Sequence, residues 1–211
     1  LGVFNFLQSS YLGMKLIGFE RQPPLLKKES LSAWWNESKP KKRNHVTTVW
    51  VIVDIFTQYY DINIGKDVLN FLKMCNVNIN VIFPRNSIVA MISHGFLNEA
   101  RNTLKLLHSQ LGNVTKNDLI VGIEPSEVLV WRDEAKSLVT DKLPNVLLFE
   151  ELLLKLKQLG VLPKFNALNS KVWVYEHCHQ KSLTETCNLT KSLGLIPKLK
   201  IEVINGGCCG M

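Results

Sequence analysis

Two parts of this chain repeat the same pattern of apolar and polar residues, and both end in the same kind of turn. The matched segments are residues 77–87 with 199–209, and residues 49–53 with 172–175. In each copy a short apolar strand leads through a loop and an amphipathic helix to a second strand. Short strands that alternate with helices predict an α/β fold, in which two repeated strand–loop–helix–strand units form parallel sheets flanked by helices.

The repeat divides the chain into three predicted parts. Residues 1–45 are an N-terminal arm of short helical or irregular pieces, which prolines interrupt. Within the arm, the adjacent side chains of Trp34 and Trp35 are expected to pack it onto the rest of the protein. Residues 46–165 form the first unit. Residues 166–211 form the second unit, which we expect to be truncated at its C-terminus.

Apolar runs and helical periods assign the elements inside the units. Strands are predicted at residues 46–53, 77–83, 118–123, 171–175 and 199–204, and helices at residues 64–75, 92–111, 145–159 and 182–193. A further helix is expected to begin near Glu127, and residues 177–181 are expected to form a turn. Cys75 falls on the apolar face of its helix, which indicates a buried structural thiol.

Three cysteines follow the two strands of the second unit. Cys178 comes after the first strand, and the adjacent pair Cys208 and Cys209 comes after the second. Because the carboxyl ends of neighbouring parallel strands meet at one edge of a sheet, these thiols are expected to face each other across a crevice. Thiolates gathered in this way are typical of iron or zinc sites. The sequence therefore predicts one metal site.

Glycines surround the paired cysteines. Gly206, Gly207 and Gly210 allow the backbone to turn tightly and to present its amides to a negatively charged cofactor. In the first unit the equivalent positions are Asn86 and Ser87, which are poor iron ligands. One of the two matched loops is therefore equipped for a metal and the other is not.

Charge and cysteine content indicate which partners the protein binds and in which cellular compartment it lies. The net charge is +7, but the basic residues cluster near the N-terminus without interleaved aromatic residues, which is typical of a solvated linker rather than a nucleic-acid interface. An odd total of five cysteines, with two adjacent, favours metal-binding or redox thiols in a reducing compartment. We therefore expect a cytoplasmic protein that binds no nucleic acid and contains no apolar run of membrane-spanning length.

Several motifs together carry a resemblance to a known family. They are His-Cys-His-Gln-Lys at residues 177–181, Gly-Cys-Cys-Gly-Met at 207–211, Gly-Ile-Glu-Pro-Ser at 122–126, Arg-Asp-Glu at 132–134, and the segments 54–60 and 91–101. The chain resembles the cysteine-rich CCG domain over most of residues 46–211. This domain occurs in iron–sulfur subunits linked to FAD-dependent 2-hydroxyacid dehydrogenases of the D-lactate, glycolate and 2-hydroxyglutarate type, and in heterodisulfide reductase subunits.

The resemblance implies an electron-transfer role. It implies that Cys178, Cys208 and Cys209 hold an iron–sulfur cluster, of the 4Fe-4S type, that accepts electrons from a flavin. The FAD would lie on a partner oxidase domain or subunit joined through a ferredoxin-like segment, and the electron acceptor would be soluble or at the inner face of a membrane. No substrate chemistry is expected in this chain. Clusters normally take four thiolates, so a further ligand would have to come from elsewhere.

The first unit departs from the family pattern at several positions together. Residues 86–88 are Asn-Ser-Ile where the family has Cys-Cys-Gly, and Glu127 stands where the family has a cysteine after Glu-Pro-Ser. Since these thiols are missing together, the resemblance implies that the first unit has lost its metal.

Other interpretations of the same residues stay open. The chain could be a structural or assembly domain that retains the fold but binds no cluster, or that binds one zinc ion. His177 and His179 could ligate zinc or iron, although hydrogen bonds to the backbone are favoured for them. Thiol–disulfide exchange by the vicinal cysteines is a weaker alternative. Glu124 and Arg132 could act in acid–base chemistry, although a role in ordering their loop is favoured. Cys187, inside a predicted helix, is more consistent with packing than with ligation.

Overall fold

The computed structural model describes residues 2–18, 20–40, 47–176, 178–184 and 188–207. Six strands are present in this part of the chain: β1 Thr48–Ile52, β2 Asn78–Ile82, β3 Leu119–Gly122, β4 Val146–Leu147, β5 Lys171–Val174 and β6 Lys200–Val203. The helices are α1 Gly2–Ser9, α2 Tyr11–Ile17, α3 Leu31–Ser38, α4 Ile55–Tyr59, α5 Ile62–Met74, α6 Ile88–Ser93, α7 Leu97–Gln110, α8 Pro125–Arg132, α9 Ala135–Leu138, α10 Phe149–Gln158, α11 Cys178–Leu183 and α12 Asn188–Leu193. The predicted α/β class is confirmed.

Two parallel sheets organise the fold. The first has the strand order β2-β1-β3-β4, and the second consists of β5 and β6. The order places the topological switch point between β1 and β3, because the chain crosses from β1 to β2 on one side and returns to β3 on the other. The carboxyl ends of these strands therefore frame a crevice.

The strand registers match the repeat found in the sequence. Trp50 of β1 lies opposite Asn80 of β2, and Trp173 of β5 lies opposite Glu202 of β6. The neighbouring pairs continue in the same register. The two repeated units predicted from the alternation of residues are thus present as two parallel strand pairs. The proposed boundaries of the three parts of the chain stay a prediction.

Two apolar clusters cover the faces of the four-stranded sheet. One combines strand residues with Ala100, Leu104 and Leu107 of α7 and with residues of α8. The other combines the opposite strand face with Leu69 and Leu72 of α5, with residues of α10, and with the arm. A sheet covered on both faces explains why its strands read as nearly continuous apolar runs.

The N-terminal arm enters this second cluster through α3. Leu31 is fully buried, Trp35 is 6% exposed and the half-buried Trp34 packs against the same cluster, which confirms the expectation that the tryptophan pair packs the arm onto the rest of the protein. Ser30 caps the helix by accepting a hydrogen bond from the Ala33 amide at 3.2 Å. A Cβ atom at Gly65 of α5 would lie 2.2 Å from Leu31 Cδ2, so a glycine is needed where α3 crosses α5.

Four predicted elements differ from the structure. The helix predicted at residues 92–111 is interrupted, because Gly95 adopts φ +80° between α6 and α7. The start of the helix predicted at 145–159 is instead strand β4, since Val146 and Leu147 pair with β3. The predicted turn at 177–181 and helix at 182–193 are wrong in their bounds, because α11 already begins at Cys178 and α12 at Asn188. Within the described residues, no helix is long and apolar enough to cross a bilayer.

Candidate functional site

The crevice of the first unit is formed by the segments that leave β1, β2 and β3. Asp54 follows β1, Ser87 follows β2 and Glu124 follows β3, and each is the N-cap residue of the next helix. Asp54 is 4% exposed. Its carboxylate accepts hydrogen bonds from the Thr57 amide at 2.8 Å and from Thr57 Oγ1 at 2.6 Å. Capping therefore explains why short polar residues end these strands.

A hydrogen-bonded pair, Ser87 and Glu127, spans the crevice of the first unit. Ser87 Oγ donates to Glu127 Oε1, and the Ile88 amide donates to Glu127 Oε2 at 3.2 Å. Ser87 Oγ also accepts from the Ala90 amide at 3.0 Å. The carboxylate thus joins the start of α6 to α8 through donors at residues 87 and 88.

Little space remains on the side of this pair that faces the sheet and α8. The cavity there measures about 20 Å³ and is bordered by Asp54, Asn86 and Glu127 together with apolar side chains of the sheet and α8. This volume is close to that of one water molecule. An open groove of about 410 Å³ lies on the other side of Asn86 and Ser87. A Cβ atom at Gly122 would lie 2.3 Å from Val128 Cγ2, so β3 and α8 also approach closely here. The side chains in this crevice do not fit an iron–sulfur cluster.

Burial changes the acidity of the bridging carboxyl. Removal from water raises the pKa of Glu127, and the nearby carboxylate of Asp54 raises it further. Hydrogen bonds from Ser87 and from the backbone amides of Ile88 and Val89 act in the opposite direction but are outweighed. The folded protein therefore holds a proton on Glu127 to higher pH than the unfolded chain does.

This raised pKa predicts how Glu127→Gln changes stability with pH. A glutamate in an unfolded chain ionises near pH 4.3. As the pH rises from there through the folded-state pKa, wild type loses stability, because only the unfolded chain ionises freely. Glutamine does not titrate, so the free energy of unfolding of the variant relative to wild type should increase with pH. The increase should be about 1.4 kcal/mol for each tenfold difference in the proton affinity of Glu127 between the folded and the unfolded state.

Urea denaturation of both proteins between pH 4 and pH 8 measures this difference. Glu20→Gln removes one negative charge from an exposed position and serves as the control. Its stability profile should stay parallel to that of wild type. A Glu127→Gln profile that is also parallel to wild type would contradict the assignment of a raised pKa.

In the second unit, the loops that follow β5 and β6 leave the same edge of the strand pair. The Ile204 amide donates to the Val174 carbonyl at 2.8 Å, which continues the pairing to the end of both strands. Beyond it, Tyr175 Oη donates to the Gly207 carbonyl. A Cβ atom at Gly206 would lie 2.5 Å from the Tyr175 ring, so a side chain there would displace the ring. A Cβ atom at Gly207 would meet no other atom within 4 Å.

The predicted metal ligands lie only partly within the described residues. Cys178 is the first residue of α11 and its side chain is exposed. The predicted site residues Cys208, Cys209 and Gly210 lie outside the described residues, as do His177 and Cys187. The accessible sulfur of Cys178 and the glycine turn after β6 fit thiolate ligation at this edge, and the complete ligand set stays a prediction.

Cys75 is excluded as a ligand by its surroundings. Its side chain is fully buried in the core, and its Sγ atom lies 3.3 Å from the Phe71 carbonyl oxygen as a hydrogen-bond donor. Burial raises the pKa of the Cys75 thiol to about 12. The thiol therefore stays protonated near neutral pH, which confirms the structural role expected for it.

Arg132 and Glu124 have clear structural partners. Arg132 donates to the Val146 carbonyl from Nε at 3.2 Å and from Nη2 at 2.8 Å, and to Glu151 Oε1 from Nη1 at 3.0 Å. Glu124 accepts hydrogen bonds from the amide and the hydroxyl of Ser126. These contacts order the segments around α8, as favoured from the sequence.

Polar contacts that sequence analysis did not find join the two units. Gln180 of α11 donates to Glu150 of α10, and α11 also packs against α8. Burial raises the pKa of Glu150, and the nearby carboxylates of Glu151 and Glu176 add to the shift. No local pattern marks such contacts, because Gln180 and Glu150 lie 30 residues apart.

Two known proteins are similar to this chain over most of its length. The D-2-hydroxyglutarate dehydrogenase of Escherichia coli (strain K12) is 28% identical over 173 residues, which are 78% of this chain and 16% of that protein. The D-2-hydroxyglutarate dehydrogenase of Pantoea ananatis (strain AJ13355) is 27% identical over 169 residues, or 77% of this chain and 16% of that protein. The chain thus spans only a small part of the length of these relatives. No protein-family model and no solved structure matches it.

Proposed function

We propose that this chain is an iron–sulfur electron-transfer domain of an FAD-linked 2-hydroxyacid oxidoreductase. The observation that carries the proposal is the arrangement of the second unit, where Cys178 and the Gly206–Gly207 turn follow neighbouring parallel strands. The similarity to two D-2-hydroxyglutarate dehydrogenases supports the type of oxidoreductase. Because the chain covers 16% of each relative, substrate oxidation is assigned to other parts of such a protein.

In this proposal the three thiolates hold the cluster. Cys178 supplies one ligand from the start of α11, and Cys208 and Cys209 supply two from the segment after β6. When bound, a 4Fe-4S cluster supplies one-electron transfer at a potential set by ligands, hydrogen bonds and burial. The residues of this chain bind and orient it. Tyr175 holds the Gly207 carbonyl, which fixes the path of the loop just before the paired cysteines.

The remaining partners follow from the same assignment. FAD is bound by a partner oxidase domain or subunit, and a ferredoxin-like segment connects it to this domain. Electrons leave to an acceptor that is soluble or at the inner face of a cytoplasmic membrane. The first unit takes no part in cluster ligation, because its crevice carries Glu127, Ser87 and Asn86 in place of thiolates.

Anaerobic purification tests the proposal directly. The wild-type chain should contain iron and acid-labile sulfide, as isolated or after reconstitution, and should show a broad visible absorbance. Cys178→Ser and Cys208→Ser should each abolish this absorbance while the far-ultraviolet circular dichroism is retained. Cys75→Ala removes a buried thiol elsewhere and should keep the colour. The proposal fails if reconstituted wild type lacks iron and sulfide, or if the absorbance survives both serine substitutions.

A structural or assembly role without a cluster is the second candidate. It is favoured by the first unit, which retains strands, caps and core although a carboxylate fills its crevice. In that case the protein would bind no metal at its cysteines, or one zinc ion without sulfide. The same metal and sulfide analysis distinguishes the two candidates.

A further inference from the structure

A second group of metal-ligand side chains lies at the contact between the two units. Asp133 and Glu134 connect α8 to α9, and His179 is the second residue of α11. One ligand atom from each of the three side chains lies within 4.8 Å of the others. The first unit thus contributes two carboxylates and the second unit contributes one imidazole. Of the cysteines in the described ranges, neither Cys75 nor Cys178 belongs to this group.

The Glu134 carboxylate supports a bound cation independently of this spacing. Its Oε2 atom is buried and accepts no hydrogen bond from any described residue. A buried carboxylate oxygen without a donor is unfavourable, because its hydrogen bonds to water are lost and no hydrogen bond within the protein replaces them. A metal ion beside it would satisfy the atom. Asp133 is exposed, so an ion can reach the group from solvent.

The surroundings concentrate negative charge, although the chain as a whole carries +7. Besides the two carboxylates of the group, Glu150 and Glu176 lie along the contact between the units and interact with each other. Arg132 balances part of this charge, and it is already engaged by Glu151 and the Val146 carbonyl. A divalent cation would offset the remaining carboxylates.

We propose that Asp133, Glu134 and His179 bind a divalent transition-metal ion, with Zn²⁺ the best match, that joins the first unit to the second. One imidazole and two carboxylates are ligands that zinc accepts, and a fourth position is left for water. Ligands about 2.0–2.1 Å from a tetrahedral ion are roughly 3.3 Å apart, so binding requires the ligand atoms to approach each other by at most about 1.5 Å. The proposed ligand set contains no thiolate, so this proposal does not depend on the cluster proposal.

Cobalt titration of two proteins tests the site. Co²⁺ substitutes for Zn²⁺, and it shows intense near-ultraviolet charge-transfer bands only when thiolates coordinate it. The probe is added to the wild-type chain and to a variant with Cys178, Cys208 and Cys209 replaced by serine. The triple variant should still bind one Co²⁺ per chain, with visible ligand-field bands and without thiolate bands. Zn²⁺ should displace the Co²⁺ and remove its absorbance.

Substitutions in the triple variant assign the ligands. His179→Gln and Glu134→Gln should each weaken Co²⁺ binding about tenfold or more, because one ligand is lost. His108→Gln, which removes a histidine near the end of α7, should leave it unchanged. The proposal is overturned if the triple variant binds no Co²⁺ in a folded state, or if neither substitution weakens binding. Failure of the cluster assignment would instead appear as absent iron and sulfide in wild type, with Co²⁺ binding by the triple variant retained.

Discussion

Trp35→Ala is expected to lower the free energy of unfolding by about 3–5 kcal/mol, the usual cost of removing a large buried aromatic side chain. Trp35 is 6% exposed and belongs to the core cluster that also contains Leu69 and Leu72 of α5. The close crossing at Gly65 leaves α3 little freedom to settle into the space vacated. Equilibrium denaturation in urea, followed by circular dichroism, measures the loss.

Trp34→Ala provides the matched control for this prediction. Trp34 is the neighbouring residue on the same helix, but it is only half-buried and its ring lies under Lys73 Nζ at 4.8 Å and Lys66 Nζ at 5.4 Å. Such exposed cation–π contacts contribute about 0.5–1 kcal/mol. The control should therefore lose much less stability than Trp35→Ala. Equal losses would show that the arm is not anchored mainly through Trp35.

The parallel strand pairs could be predicted from sequence because each strand leaves a local pattern. The alternation around Trp50 recurs around Trp173, and both strands pair in the same register with their partners. Strand β4 could not be found in the same way. Val146 and Leu147 have the apolar character of either a helix or a strand, and only their pairing with β3 decides between the two. Tertiary contact therefore determined the element where local pattern was ambiguous.

In the candidate sites too, local sequence predicted some features, and tertiary contacts determined the others. The position of Cys178 after β5 followed from motif and repeat, since both are read along the chain. The sequence also showed that Ser87 and Glu127 differ from the pattern of the family that the chain resembles. It did not predict the hydrogen bond between these two side chains. That contact joins residues 40 positions apart across two elements. The grouping of His179 with Glu134 was beyond sequence reasoning for the same reason, because it depends on how α11 lies against α8.

Glu151→Ala should destabilise the protein by about 3–5 kcal/mol, because it leaves the guanidinium of Arg132 without its carboxylate in a largely buried position. The side chains of Arg132 and Glu151 are 18% and 15% exposed. Glu151 also accepts the Leu148 amide at 2.9 Å, so the start of α10 loses a cap in the same variant. Urea denaturation of the purified chain measures the change.

Glu202→Ala is the control, because it removes a glutamate from an exposed ion pair. It distinguishes the effect of burial from the effect of losing a charge. Its partner is Lys171, and the two side chains are 46% and 44% exposed. Exposed pairs contribute about 0.2–1 kcal/mol, so this variant should stay close to wild type. Adding Arg132→Met to Glu151→Met should restore part of the stability lost in Glu151→Met alone, because the unpaired charge is then gone. If the single and double variants are equally unstable, the cost comes from the lost cap and the hydrogen bonds of Arg132 to Val146 rather than from a buried charge.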